Sequence, residues 1–152
     1  MGTNAVQRDA TADTVSTNVR RLRTDQNLGL RRLATKLGEA GRPLTHSAVD
    51  QIEKGTRRVD VDDLMALAAA LDVSPATLLM PVSDEDQEVS VSGHKDKLTG
   101  RQVWDWITAH RPPRADVWAG AGLLVWLGRS RPFWSVGSPG LIPLVKRSDG
   151  DD

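Results

Sequence analysis

Apolar positions return at helical intervals through the first half of the chain. Val19 and Leu22, then Leu30, Leu33, Ala34 and Leu37, then Ala48, Val49 and Ile52, then Leu64, Leu67, Ala68 and Leu71 recur at three-, four- and seven-residue intervals, which places each group on one helix face. The punctuation agrees. Ser16 or Thr17 is expected to cap a first helix reaching about Asn27, and Gly29 ends that run before a second helix begins near Leu30. Pro43 lacks an amide donor and restricts its predecessor, so Glu39 to Pro43 must turn. Thr45 is placed to cap a third helix ending at Gly55, and Asp60 a fourth with Asp63 in its first turn. Ser74 and Pro75 open a short fifth helix in cap and first-position order, and Leu78 and Leu79 close the core before Pro81. Five short helices with tight connections predict an all-α domain over residues 15–82.

The flanks read differently. Residues 1–14 are small and polar and predict a disordered arm. Residues 83–95 are acidic, hold Ser and Val without a helical period, and predict a linker. Over 96–134 lies a Trp-rich, mainly helical appendage. Thr99 and Gln102 have capping-box spacing, a helix from Gly100 to Arg111 would gather Val103, Trp104 and Ile107, and Ala115 to Leu127 predicts a second short helix, although its glycines also permit strand. Residues 135–152 predict an irregular tail.

The order of these residues carries more than a fold class. Leu33-Ala34-Thr35-Lys36-Leu37-Gly38, then Ala48-Val49-Asp50-Gln51-Ile52-Glu53-Lys54-Gly55, then Leu64-Met65-Ala66-Leu67-Ala68-Ala69-Ala70-Leu71 resembles the lambda-repressor-like helix-turn-helix family, the XRE class of bacterial and phage regulators, over Val15 to Pro81. The Arg- and Ala-rich usage and Val59 to Leu64 resemble its actinobacterial or actinophage branch. The resemblance implies a five-helix DNA-binding domain whose third helix enters the major groove. On that helix His46, Ser47 and Gln51 fall where base-contacting residues lie, and their side chains can bond base edges. Arg31, Arg32, Arg42, Thr45, Lys54, Arg57 and Arg58 are the candidate phosphate contacts, which position without reading sequence. Glu53 and Gly55 belong to the Ile-Glu-x-Gly signature and are expected to be structural, Glu53 through an arginine of the first helix. Asp50 suits an intrahelical pair with Lys54 better than a base contact. Two departures stand out. Leu30 occupies a place where many members carry glutamine, and the turn before the third helix is about five residues longer than usual.

Composition narrows the function. Charged residues form 26% of the 152 and sum to zero, so net charge proposes no nucleic-acid partner. Locally, Arg20, Arg21, Arg23, Arg31, Arg32, Lys36 and Arg42 face only Asp25 and Glu39 between residues 20 and 42, an excess that can serve as an electrostatic footprint. Cysteine is absent, which removes disulfides, thiolate metal sites and cysteine nucleophiles and fits a cytoplasmic protein. The apolar run of Ala115 to Leu127 is shorter than the about 20 residues a membrane-spanning helix needs. His46, His94 and His110 lack metal-ligand spacing, so neither a metal, a cofactor nor a catalytic constellation is expected, and the chain reads as no enzyme.

All five tryptophans, Trp104, Trp106, Trp118, Trp126 and Trp134, follow the acidic segment. Because Trp is enriched at interfaces, Val103, Trp104, Ile107, Trp118, Leu123, Leu124 and Trp126 are the expected dimer or partner surface. The sequence therefore predicts a sequence-specific transcriptional regulator, a repressor occupying a double-stranded DNA operator as a homodimer or under control of a protein partner. Its alternatives are an antitoxin with an autoregulatory helix-turn-helix and a membrane-associated adaptor.

Overall fold

The computed structural model of the chain describes residues 8–113 and 120–135. Five helices, α1 (Ala10–Asp25), α2 (Leu30–Glu39), α3 (His46–Glu53), α4 (Val61–Ala70) and α5 (Pro75–Leu79), form the first unit. Strands β1 (Glu88–Val89) and β2 (Leu98–Thr99) pair antiparallel, Glu88 opposite Thr99 and Val89 opposite Leu98. They lead into α6 (Gly100–Ile107), and α7 (Ala121–Ser130) follows, with one 3-10 turn at Phe133–Ser135.

The expected stripes make the first core. Val19, Leu33, Leu37, Val49, Ile52, Leu67, Leu71 and Leu78 are wholly buried together, and Leu22, Leu30, Leu64 and Leu79 pack on them half-buried. Four expected caps also form. Thr45 accepts from the Ala48 amide, Asp60 from Asp63 and Ser74 from Ala76, while Thr99 and Gln102 close both halves of a capping box.

α1 begins earlier than the apolar pattern predicts, at Ala10, capped by Asp9 rather than by Ser16 or Thr17. Residues 10–14 are therefore helical, not an arm. They are held by polar bonds that no hydrophobic period reveals. Arg8 donates to the Ala12 carbonyl and to Ser16 Oγ and pairs with Asp13 at 2.6 Å. The Thr11 amide donates to Ser92 Oγ, and the Ser92 amide returns a bond to Thr11 Oγ1.

The segment 83–95 is likewise folded rather than a free linker. Val91, Leu98 and Val103 form a second small core, with Met80, Val89, Trp106 and Ile107 packed against it and the rings of His94 and Trp106 meeting edge-on at 4.6 Å. The approach to α6 is fastened by its backbone. The Gly100 amide donates to Gln87 and the Arg101 amide to Glu85, while the Arg101 guanidinium pairs with the Glu85 carboxylate at 2.8 Å. Since Met80 directly follows α5, this second core adjoins the first.

Asn18 carries an unexpected share of the assembly. It is 1% exposed, and its amide nitrogen faces the carbonyls of Thr77, Leu78 and Met80 at 3.2, 3.1 and 2.8 Å, satisfying the end of α5. Asn18→Ala would leave these acceptors without their donor at a buried junction, so it is expected to lower unfolding free energy by about 2 to 3 kcal/mol, measured by urea unfolding followed by circular dichroism.

Candidate DNA-binding site

The turn before α3 is closed by geometry that its sequence announces only partly. Gly41, at φ +82, follows the α2 cap residue Ala40, and the amides of Gly41 and Arg42 bond back to Gly38 and Leu37 at 3.0 and 2.9 Å. A left-handed residue is needed there, and glycine adopts it without a Cβ penalty. The added residues are thus this reversal plus the extended entry to Thr45, and α2 stops at Glu39.

The same closure ends α3, where Gly55 has φ +72 and the Gly55 and Thr56 amides return to Ile52 and Gln51. A Cβ on Gly55 would meet the Arg8 guanidinium, the far end of a flexible side chain, so the residue before the cap of α1 reaches the end of α3.

Burial divides α3 into two faces. Ala48, Val49 and Ile52 are inside, whereas His46, Ser47 and Gln51 are exposed. The three expected base-reading residues therefore stand on the outer face, His46 and Ser47 at the N-terminus of α3 and Gln51 one turn farther along. Glu53 points the other way. Its carboxylate receives Arg23 Nε at 2.6 Å and Nη2 at 2.8 Å, and Arg23 Nη1 donates to the Leu28 carbonyl. This forked contact ties α3 to α1, and the hydrogen bond to Glu53 raises the Arg23 pKa further above its ordinary value against the opposing effect of burial.

The cations differ from one another. Arg31 and Arg32 are exposed at the start of α2, and Thr45, although spent on its cap, is exposed at the start of α3. Lys54 reaches Asp50 at 2.6 Å, the expected intrahelical pair. Arg42 does not stand free for phosphate. Its Nε and Nη2 bond Asp63 and Asp60 at 2.9 and 2.8 Å, and the Asp63 bond, then the Asp60 charge, raise its pKa. Arg57 is drawn to the same carboxylate, with Nη2 at 3.3 Å from Asp63. Arg58 is exposed.

Asp63 is the support residue that sequence reading missed. Its side chain is 1% exposed between two arginines from the turn and the loop after α3, and its amide is held by Asp60. The clue was an acidic residue on the buried side of the α4 stripe, at the position before Leu64. A carboxylate in the first helical turn reads simply as a dipole partner, which hides its role as a bracket.

In the appendage the structure divides the expected partner surface. Val103 is wholly buried and Ile107 half-buried in the second core, so Val103 offers nothing to another chain. Trp106 takes the inner place that Trp104 was expected to share, because three residues from Val103 returns to the same helix face and one residue does not; Trp104 is 39% exposed. Leu123 and Trp126 are half-buried and Leu124 is 71% exposed. Trp118 lies outside the described residues. No residue of α7 is buried, despite its apolar content. Among the described residues no group of His, Asp and Glu could hold a metal, and no helix is long and apolar enough to cross a membrane.

Comparison with known proteins agrees with this geometry. The family model described as Helix-turn-helix matches residues 19–78, from the Val19 of the first core to its Leu78. No curated protein and no solved structure matches the chain. With Ala48, Val49 and Ile52 inside and His46, Ser47 and Gln51 outside on its third helix, the segment of residues 19–78 is a helix-turn-helix domain of the lambda-repressor-like, XRE class, a DNA-binding domain of transcription regulators.

Proposed function

We propose that this chain is a sequence-specific repressor that acts by occupying an operator, with α3 in the major groove. The observation that carries the reading is the exposure of His46, Ser47 and Gln51 on the face of α3 opposite its buried Val49 and Ile52. A glutamine amide can bond an adenine edge with both its ends, a serine hydroxyl can bond several bases, and a histidine can donate to guanine. Arg31 and Arg32 at the start of α2 and the backbone amides at the start of α3 supply phosphate contacts that set the register. Lys54 and Arg58 flank the end of α3 as further contacts, whereas Arg42 and Arg57 act through Asp63 by shaping the turn and the loop that present them.

One short helix makes few base contacts, so useful discrimination calls for two copies on a two-fold site. The exposed Trp104 and Leu124, with the half-buried Leu123 and Trp126 of α7, are the surface for pairing two chains or for docking a controlling protein.

Selection of bound sites from a random duplex pool, followed by titration of variants, tests the reading. His46→Ala or Gln51→Ala is expected to cost about 1 to 3 kcal/mol on the selected site and to relax preference at one position of each half-site. Arg31→Ala or Arg32→Ala should weaken selected and random DNA alike and reduce the slope of log affinity against log salt by about one per contact. Unchanged affinity and preference in both α3 variants would remove α3 from the groove.

A further inference from the structure

α3 carries two carboxylates that face opposite ways. Glu53 is turned in to Arg23, whereas Asp50 belongs to the outer half of the helix. At about 100° per residue, the direction opposite the buried Ala48, Val49 and Ile52 passes between Asp50 and Lys54, with His46 and Gln51 to either side. The centre of the outward face is therefore an ion pair, with Lys54 Nζ donating to Asp50 Oδ2 at 2.6 Å.

For the helix alone this pair does little, because an exposed pair four residues apart is a weak support. Its position matters more. Phosphates repel a bare carboxylate on a face that meets DNA, and Lys54 cancels that charge at its source. The ammonium has three protons, so one can stay on Asp50 while another meets a phosphate. Lys54 takes Oδ2, and the half-buried carboxylate beside it keeps Oδ1 with which to accept.

An ionised carboxylate can only accept, and this limits what it can read. In the major groove the donors are N4 of cytosine and N6 of adenine. Adenine sets its N7 acceptor beside N6, which suits an amide and repels a carboxylate, while guanine and thymine turn acceptors to the groove. Cytosine is the base that remains.

We propose that Asp50 is a specificity-determining residue whose carboxylate accepts from N4 of a cytosine, with Lys54 neutralising it. This rests on the reading above that puts α3 in the major groove, and it adds a position to those assigned to His46, Ser47 and Gln51.

Site selection from a random duplex pool, run separately with the native chain, Asp50→Ala, Asp50→Asn and Lys54→Ala, tests the assignment, followed by titration of the selected duplex and of single-pair changes in it. The native chain is expected to require a cytosine at one position and to lose at least tenfold in affinity when that C·G pair becomes T·A, which puts an acceptor where N4 stood. Asp50→Ala should erase the preference at that position and keep those that depend on His46 and Gln51. Asp50→Asn should admit adenine there, because an amide bonds N6 and N7 together. Lys54→Ala should weaken selected and random duplexes alike, since the carboxylate is then bare, and still choose cytosine. Preference is a ratio between duplexes measured on one protein, so partial unfolding of a variant leaves it unmoved, and melting curves report the folding separately. Asp50→Ala with the native preference at every position would overturn the proposal, whatever its overall affinity, and so would a preference that moved with Lys54 and not with Asp50. A site whose bases respond to His46 or Gln51 but not to Asp50 overturns this proposal alone. A chain that selects no duplex, or one indifferent to all three residues, overturns the DNA reading and this proposal with it.

Discussion

Glu53→Ala is expected to lower the stability of the helix-turn-helix domain by about 3 kcal/mol, in the range seen when one member of a buried ion pair is removed. Glu53 is 6% and Arg23 16% exposed in their side chains, and the fork between them uses both carboxylate oxygens. Without Glu53 the Arg23 guanidinium keeps its bond to the Leu28 carbonyl in a place water reaches poorly. For a domain of this size the loss corresponds to a melting temperature lower by more than 10 °C, at about 4 to 8 °C per kcal/mol. Glu53→Gln, which keeps the shape and one acceptor, should fall between the two. Thermal and urea unfolding of the three proteins decide the matter, and a loss below about 1 kcal/mol would place this contact with ordinary surface pairs. DNA binding, compared at a temperature where all three remain folded, should weaken because α3 loses its tie to α1.

A fragment ending at Val82 should remain helical yet bind the selected operator about 10²- to 10⁴-fold more weakly than the full chain, the range lost when linked binding events become separate. The first core is complete without the appendage, since its buried members run from Val15 to Leu78. What the cut removes is the second core resting near Met80, the Thr11 bonds to Ser92, and the exposed apolar surface of α7. Sedimentation should find the full chain dimeric and the fragment monomeric. In the full chain Leu124→Asp should have the same effect on assembly with little change in melting, because Leu124 is exposed and supports neither core. A fragment that dimerised and bound as tightly as the full protein would refute the role given to the appendage.

The legible parts of this molecule were those where a residue's neighbours along the chain decide its environment. The four central stripes and the caps at Thr45, Asp60, Ser74 and Thr99 depend on spacing within one helix or one turn, and they could be read from the letters. So could the outward placement of His46, Ser47 and Gln51, because a buried Val49 and Ile52 orient the whole of a short helix. The Arg23 to Glu53 tie was expected through the family signature, where one end of a long-range contact is marked by its motif.

What failed had its cause elsewhere in the chain. Apolar periodicity could not find the start of α1, since Arg8, Asp9 and Thr11 hold it by polar bonds and one partner, Ser92, lies 81 residues away. Val103 appeared available to a partner until β1, β2 and Met80 were seen to cover it. Arg42 and Arg57 look alike as loop cations, and only the approach of Asp63 from α4 gives both of them the same carboxylate partner. Sequence by itself determined the helices, their inner faces and the exposed face of α3, because 3.6-residue periodicity and capping are local. Tertiary structure alone decided which charges are consumed within the protein, because ion pairs depend on residues that meet only when the helices pack.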